Sequence, residues 1–359
     1  MRHRLPTSPQ LKLLALVSMF ALVLSACGTD VPAESAENGG APSDGGSDPA
    51  STYDEFCAAG AEEGSLVHWH NHSDGIQDVY AAFNEDHPDI QVEGLEMTPD
   101  DAAQRVLTEV AAGRDVSADI IAGQADVFQG VINDGLVNTD VDWTEYDISE
   151  DVVHETNMIR IHRIAMGLGY NTDTNTADDL PDTWEELIDE QWQGQVIVDP
   201  RGRPFDQLSL VWGEDEALDY VQRLHDVVAP LVIEGGTAGL VAVAGGEAAI
   251  TTGGRSAETL EQQAEGAPVD IKFLDYVPTI DNYNLVLADS PNPNAAVCYA
   301  IWFSAHGGQA VYNEAEFKTN DTVPTGAPDG AEVVTVETLD EAELVSNVGR
   351  EMGRIWTEQ

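Results

Sequence analysis

The stretch from Gly169 to Pro200, GYNTDTNTADDLPDTWEELIDEQWQGQVIVDP, restricts the fold more than any other part of the chain. The apolar run Ile164 to Tyr170 leads into it and reads as a strand, and polar Asn171 to Asp179 read as a loop. Leu180 is driven into an extended conformation, because the ring of Pro181 disfavours the helical region for the residue before it. Thr183-Trp184-Glu185-Glu186 fits a capping box, in which the hydroxyl satisfies one orphan amide and the glutamate another. Trp184, Leu187, Ile188 and Trp192 recur at helical spacing, so the pattern predicts a helix with one apolar face, stopped at Gly194. Gln195 to Val198 is a short strand that ends at Asp199-Pro200.

The segments before this stretch alternate strand and helix. Tyr53 to Glu63 reads as a helix, Ser65 to His70 as a strand, Gln77 to Asn84 as a helix and Ile90 to Glu93 as a strand. Ala102 to Ala112 is a helix, Asp119 to Ala122 a strand and Val127 to Asp134 a helix. That order implies a mostly parallel sheet flanked by helices. In such sheets ligands sit beyond the carboxyl ends of the strands, beside helix N-termini. The rule selects the loops His70 to Gly75, Glu96 to Asp100 and Gly123 to Asp126. Past Pro200, Glu214 to Val228 is a helix with Ala217, Tyr220, Val221, Leu224 and Val228 inward. Ala248 to Thr252 leads to a loop, Thr252 to Ser256, and Ile271 to Val277 is a further strand. Ala295 to Phe303 and Leu339 to Trp356 are helices.

The 359 residues suffice for two cored lobes. Arg2, Arg4 and Lys12 precede or flank the apolar run Leu13 to Leu24, which is too short to span a bilayer and of signal-peptide length. Leu24-Ser25-Ala26-Cys27 resembles a bacterial lipobox, which implies cleavage before Cys27 and diacylation of its thiol. Residues 27–51 are poor in large apolar side chains and read as a flexible tether. Without residues 1–26 the chain loses three basic residues and no acid. It keeps 12 basic against 65 acidic residues, a formal −53. Nucleic acid and an anionic membrane surface are poor partners for such a chain. The remaining cysteines, Cys57 and Cys298, suit a disulfide outside the cytoplasm, or alternatively two small buried hydrophobes.

Tyr170-Asn171-Thr172, Leu180-Pro181-Asp182-Thr183-Trp184-Glu185-Glu186-Leu187, Trp192-Gln193-Gly194 and Asp199-Pro200 together resemble the extracellular solute-binding proteins of ABC importers, in the cluster that includes the ferric-iron binders. Leu107 to Gly113, Ala118-Asp119-Ile120 and Pro291 to Ala296 are similar to other phrases of that family. The resemblance implies a type II periplasmic-binding-protein fold: two lobes, each a mostly parallel sheet flanked by helices, with a ligand cleft between. Lobe one is expected from 52–165 and 276–325, and lobe two from 166–275 and 326–359. It further implies an extracytoplasmic monomer with no resident cofactor. Such a protein is tethered through Cys27 and delivers a small molecule or ion to a permease and its ATPase.

Candidate ligand contacts follow from loop placement and chemistry. On the first lobe they are His70, Asn71, His72, Ser73, Thr98, Gly123 and Gln124. His68, His70 and His72 alternate onto one side of a strand; His68 suits a hydrogen-bonded core position, while His70 and His72 are metal ligands if the solute is iron. On the second lobe they are Arg201, Arg203 and Arg255, whose guanidinium forks suit carboxylate, phosphate or phosphonate. Ion pairing with Asp199 or Asp206 is the competing role for these arginines. Arg160, His162 and Arg163 form a second basic cluster before the crossing strand, ranked below the loop arginines because a surface strand is the competing placement. Ferric binders of the family place adjacent tyrosines where this chain has Thr251 to Arg255, so a small anion is favoured over iron. No Walker loop, GxSxG, HExxH or CxxC occurs, which leaves a secreted hydrolase or a sensory ectodomain as rivals of another class.

Overall fold

The computed structural model describes residues 51–357; the expected signal peptide, Cys27 and the tether up to residue 50 lie outside the described residues. Among the described residues no helix is long and apolar enough to cross a membrane. Helix α1 (Tyr53–Glu63) opens on a capping box between Thr52 and Glu55. It is followed by β1 (Ser65–His70), α2 (Ile76–Asp86), β2 (Gln91–Glu96), α3 (Pro99–Ala111), β3 (Ile120–Gly123), α4 (Gln129–Asn133) and the long β4 (Ile159–Asn171). Next come β5 (Val196–Val198), α5 (Phe205–Trp212), α6 (Glu214–Val228), β6 (Leu231–Val232), α7 (Gly236–Ala244), β7 (Ile250–Arg255), α8 (Ser256–Ala264) and β8 (Val269–Lys272). Strand β9 (Tyr276–Val286) leads to α9 (Pro293–Ala305), α10 (Gly308–Glu316), β10 (Glu332–Thr335) and α11 (Leu339–Thr357).

The strands follow the path β2-β1-β3-β9-β4-β7-β5-β6, with β10 on β9 and β8 on β4. The expectation of mostly parallel sheets holds at the flanks and where β10 joins β9. β2, β1 and β3 pair in parallel, as do β7, β5 and β6. The centre is antiparallel, because β4 and β9 are long strands of opposite direction that pair with each other and with both flanks. The result is a mixed sheet with a core on each side of its first half. One is built around Tyr80, Phe83, Tyr299 and Trp302, and the other around Trp69, Val106 and Phe128. The second half has its own core of Trp184, Phe205, Leu224, Val348 and Trp356. A disulfide joins Cys57 on α1 to Cys298 on α9.

Several expected elements take a different form. Residues 183–192 make two 3₁₀ turns, Glu185–Leu187 and Glu190–Trp192, rather than one helix. The Thr183 hydroxyl does accept the Glu186 amide (3.3 Å), but the Glu186 carboxylate takes the amide of Asp182 instead of Thr183 (2.9 Å). Asp189 then accepts the Gln191 amide (2.8 Å) and starts a new turn, the local competition that keeps Asp out of helix interiors. Trp184, Leu187 and Trp192 are nevertheless buried, so the spacing marked the inward residues correctly while the ladder broke. Strand β4 begins at Ile159, which puts Arg160, His162 and Arg163 in the interior rather than on a surface; the segment around Thr319 covers them. The expected loop 252–256 is the end of β7 running directly into α8.

Trp184 fastens this region. Its ring is fully buried, its indole N–H donates to the Tyr276 carbonyl (2.9 Å), and its own carbonyl accepts from the Tyr220 hydroxyl (2.6 Å). Trp184→Ala is expected to cost about 3–5 kcal/mol in urea denaturation, the range for emptying a large aromatic site. Trp184→Phe should lose less, mainly the bond to the Tyr276 carbonyl.

Candidate ligand-binding cleft

Strand β5 ends at Val198, and the chain turns through Asp199 to Pro204 before α5. Asp199 pins that turn. Its carboxylate accepts the backbone amides of Arg201 (2.9 Å) and Gly235 (3.1 Å) and pairs with the Arg201 guanidinium (2.6 Å). Burial opposes its charge, yet these donors hold its pKa below the ordinary carboxylate value. Arg203 reaches back to Asp206 (3.7 Å), a residue only 3% exposed. Burial pushes the Asp206 carboxyl up to about 6, with Arg203 opposing the shift. Arg255, the last residue of β7, pairs with Glu258 one turn into α8 (3.1 Å).

These groups line one cavity of about 880 Å³. Gln124, Asp126 and Val127, from the turn after β3, face it from the first half of the sheet. Pro200, Arg201, Arg203, Asp206, Gln207 and Arg255 face it from the second half. Thr279 to Asp281 of β9 line it where the two halves meet, and Arg350 and Arg354 line it from α11. The opposed sides sense one another: burial raises the pKa of Asp126, and the field of Arg203 across the gap opposes that rise. Ten arginines lie among the described residues, and five of them, Arg201, Arg203, Arg255, Arg350 and Arg354, line this cavity.

Of the ten expected contacts, Gln124, Arg201, Arg203 and Arg255 are thus brought together. The other six stand elsewhere. Thr98 accepts the Asp101 amide as the N-cap of α3 (3.2 Å), and Gly123 packs between Pro99 and Phe128. Asn71 is exposed, and the Ser73 hydroxyl donates to Glu316 (2.7 Å). His70 and His72 are buried, 5% and 4% exposed, on the face of the sheet covered by α2, α9 and α10. Sequence reasoning missed Asp126, Asp206, Gln207, Asp281, Arg350 and Arg354. The scarcity of arginine, which singled out the loop arginines, applied equally to the pair on α11.

The histidines instead build an internal polar layer. His68 Nδ1 is 2.9 Å from the Tyr80 hydroxyl, and the Tyr312 hydroxyl lies 2.7 Å from His162 Nδ1 and 3.2 Å from His72 Nδ1. Neighbouring imidazoles are 5.5–6.1 Å apart, centroid to centroid. Burial, then the nearby His70, pushes His68 down to about 3. Burial likewise holds His70, His72 and His162 below the usual histidine value, with Lys318 adding to the effect at His72 and His162. All four are therefore neutral at pH 7. A folded pKa depressed below the unfolded value of about 6.5 contributes stability that is present above that pH and lost as pH falls toward the folded values. The melting temperature is expected to fall between pH 7 and 5, and His162→Phe should flatten that slope; equal slopes would contradict the neutral layer.

The model for bacterial extracellular solute-binding proteins matches residues 78–315, and the chain belongs to that family, which supplies the capture subunits of ABC importers. No curated protein matches the sequence. Among solved structures, FutA (IdiA) of Trichodesmium in complex with iron and citrate aligns with a TM-score of 0.63 and 18% identity, covering 81% of this chain and 99% of that one. Iron-bound HitA of Pseudomonas aeruginosa gives 0.61 and 17%, with 79% and 99% covered. AfuA of Actinobacillus pleuropneumoniae with fructose-6-phosphate bound gives 0.58 and 17%, with 79% and 97% covered. At these identities the likeness shows the fold, the type II periplasmic-binding-protein architecture. Members of the family bind solutes; they are not known as enzymes.

Proposed function

We propose that the cleft captures a small organic or phosphorus-containing anion and presents it to the importer's permease. One observation carries this reading: in a chain this acidic, half of the arginines among the described residues line a single cavity. Guanidinium groups offer paired, charge-assisted bonds to carboxylate, phosphate and phosphonate. The two lobes are taken as 52–165 with 276–325, and 166–275 with 326–359, so Gln124 and Asp126 face the loop arginines from the other lobe. A ligand touching both sides favours the closed arrangement by its differential contacts. Replacing Arg201, Arg203 and Arg255 together by alanine is expected to weaken anion binding by more than about 2 kcal/mol, since charge-assisted bonds are worth about 1.5–3 kcal/mol each and these side chains are partly exposed. Wild-type affinity in calorimetric titration of that variant would sink the reading.

Ferric iron is the second reading, favoured by the iron in FutA and HitA. Against bare iron, Thr251 to Arg255 carry no tyrosine, and Tyr283 is buried, with its hydroxyl 3.5 Å from Asp281 and 3.4 Å from Glu337. Metal carried together with an anion suits the arginines better.

The protein acts as an extracytoplasmic monomer held at the cell membrane by lipid on Cys27. Cys27→Ala is expected to move it from the membrane fraction to the soluble fraction after cell fractionation, and unchanged retention would count against the anchor.

A further inference from the structure

Building on the anion reading of the cleft, we infer that α11 supplies a second anion-binding pair, Arg350 and Arg354, and that the ligand carries two anionic groups joined by a short linker.

The placement of this helix is built into its sequence. Gly349 and Gly353, one turn apart, let α11 sit directly on the turn after β5. A β-carbon at Gly349 would lie 2.7 Å from the Arg201 carbonyl oxygen, and one at Gly353 would lie 2.6 Å from that of Pro200. Gly202, at φ +91°, completes the seat, because a β-carbon there would lie 2.8 Å from the Gly349 Cα. Val348, Met352 and Trp356 anchor the adjoining face in the core shared with α5 and α6. Each glycine is followed by an arginine, and residues four apart share a helix face. Arg350 and Arg354 therefore stand side by side at the cavity, next to the loop that carries Arg201 and Arg203.

Ion pairing separates Arg350 from the other four arginines of the cavity. Arg201, Arg203 and Arg255 each have a carboxylate of their own: Asp199, Asp206 and Glu258. Arg354 has Glu351 (2.6 Å). Arg350 is bound only to neutral groups, the Ser346 hydroxyl (2.8 Å) and the Asn347 side-chain oxygen, and has no ion pair among the described residues. A guanidinium without an acid, in a chain with so few basic residues, is an open position for an anion. One carboxylate or phosphonate head is filled by two or three guanidinium groups. Five guanidinium groups drawn from the turn after β5, the end of β7 and α11, around about 880 Å³, exceed what one head can use. A dicarboxylate or a phosphonocarboxylate uses both sets.

Calorimetric titration at low salt with methylphosphonate, which has one anionic group, and phosphonoacetate, which has two, tests the assignment. Wild type is expected to bind phosphonoacetate at least about tenfold more tightly than methylphosphonate, corresponding to about 1.4 kcal/mol. Arg350→Gln with Arg354→Gln should cut that ratio to about threefold or less, weakening phosphonoacetate more than methylphosphonate, while Arg350→Lys with Arg354→Lys should restore part of it. If the double glutamine variant loses helix content by circular dichroism, Arg350→Gln alone carries the same readout. An unchanged ratio in the glutamine variant overturns the α11 pair but leaves the cleft reading standing, provided the loop-arginine variant still loses both probes. Failure of wild type to bind either probe overturns both.

Discussion

The cross-strand pair of Arg163 on β4 and Asp281 on β9 is the interaction on which the arrangement turns. The two residues are register partners, both are buried, and the guanidinium takes both carboxylate oxygens. Arg160 lies 3.6 Å from the same carboxylate. Removing one member of a buried pair strands the other charge and costs about 3–5 kcal/mol, so the two strands are fixed in a single register. β4 and β9 are also the strands through which the first half of the sheet meets the second. Because Asp281 lines the cavity, the residue that fixes this meeting also stands where a ligand would sit.

Burial of charge organises the rest of the cleft in the same way. Asp199 and Asp206 are inside, each beside an arginine more exposed than itself, so the acids hold positive groups at the edge of the cavity. Most of the chain's large negative charge is on solvated surfaces where salt screens it, although Asp126, Asp206 and Asp281 also line the cavity. The contrast between an acidic exterior and an arginine-lined recess is local and survives screening better than the long-range field.

Much of this was legible in the sequence, for reasons that differ by element. The helices α3, α6 and α11 carry strong 3.6-residue patterns, and the regions of β1 and β3 carry apolar runs between turn signals, so their existence followed from local rules. Residues 183–192 gave the correct inward residues and the wrong secondary structure, because Asp189 found a better partner in a nearby amide than in a helix. His70 and His72 were placed at a loop by strand-end logic, but Tyr312, far from them in sequence, supplies a buried hydroxyl to His72 and His162 that draws this histidine layer inward. Arg160 and Arg163 were ranked below the loop arginines for the same reason: Asp281 and Asn320, which make their burial tolerable, lie more than 100 residues away. Long-range polar partners leave no periodic trace, whereas the cleft arginines pair with acids only two or three residues away.

The seat of α11 has a temporal corollary. The cavity draws on residues from Gln124 to Thr357, and its wall at Pro200 to Arg203 stays bare until the glycine-bearing helix arrives more than 140 residues later. Contacts so distant along the chain form late, after the closure entropy of the intervening segments has been met. A nascent or truncated chain that lacks this helix has the loop arginines without their companion wall, so the cavity is complete only once the C-terminal helix has folded.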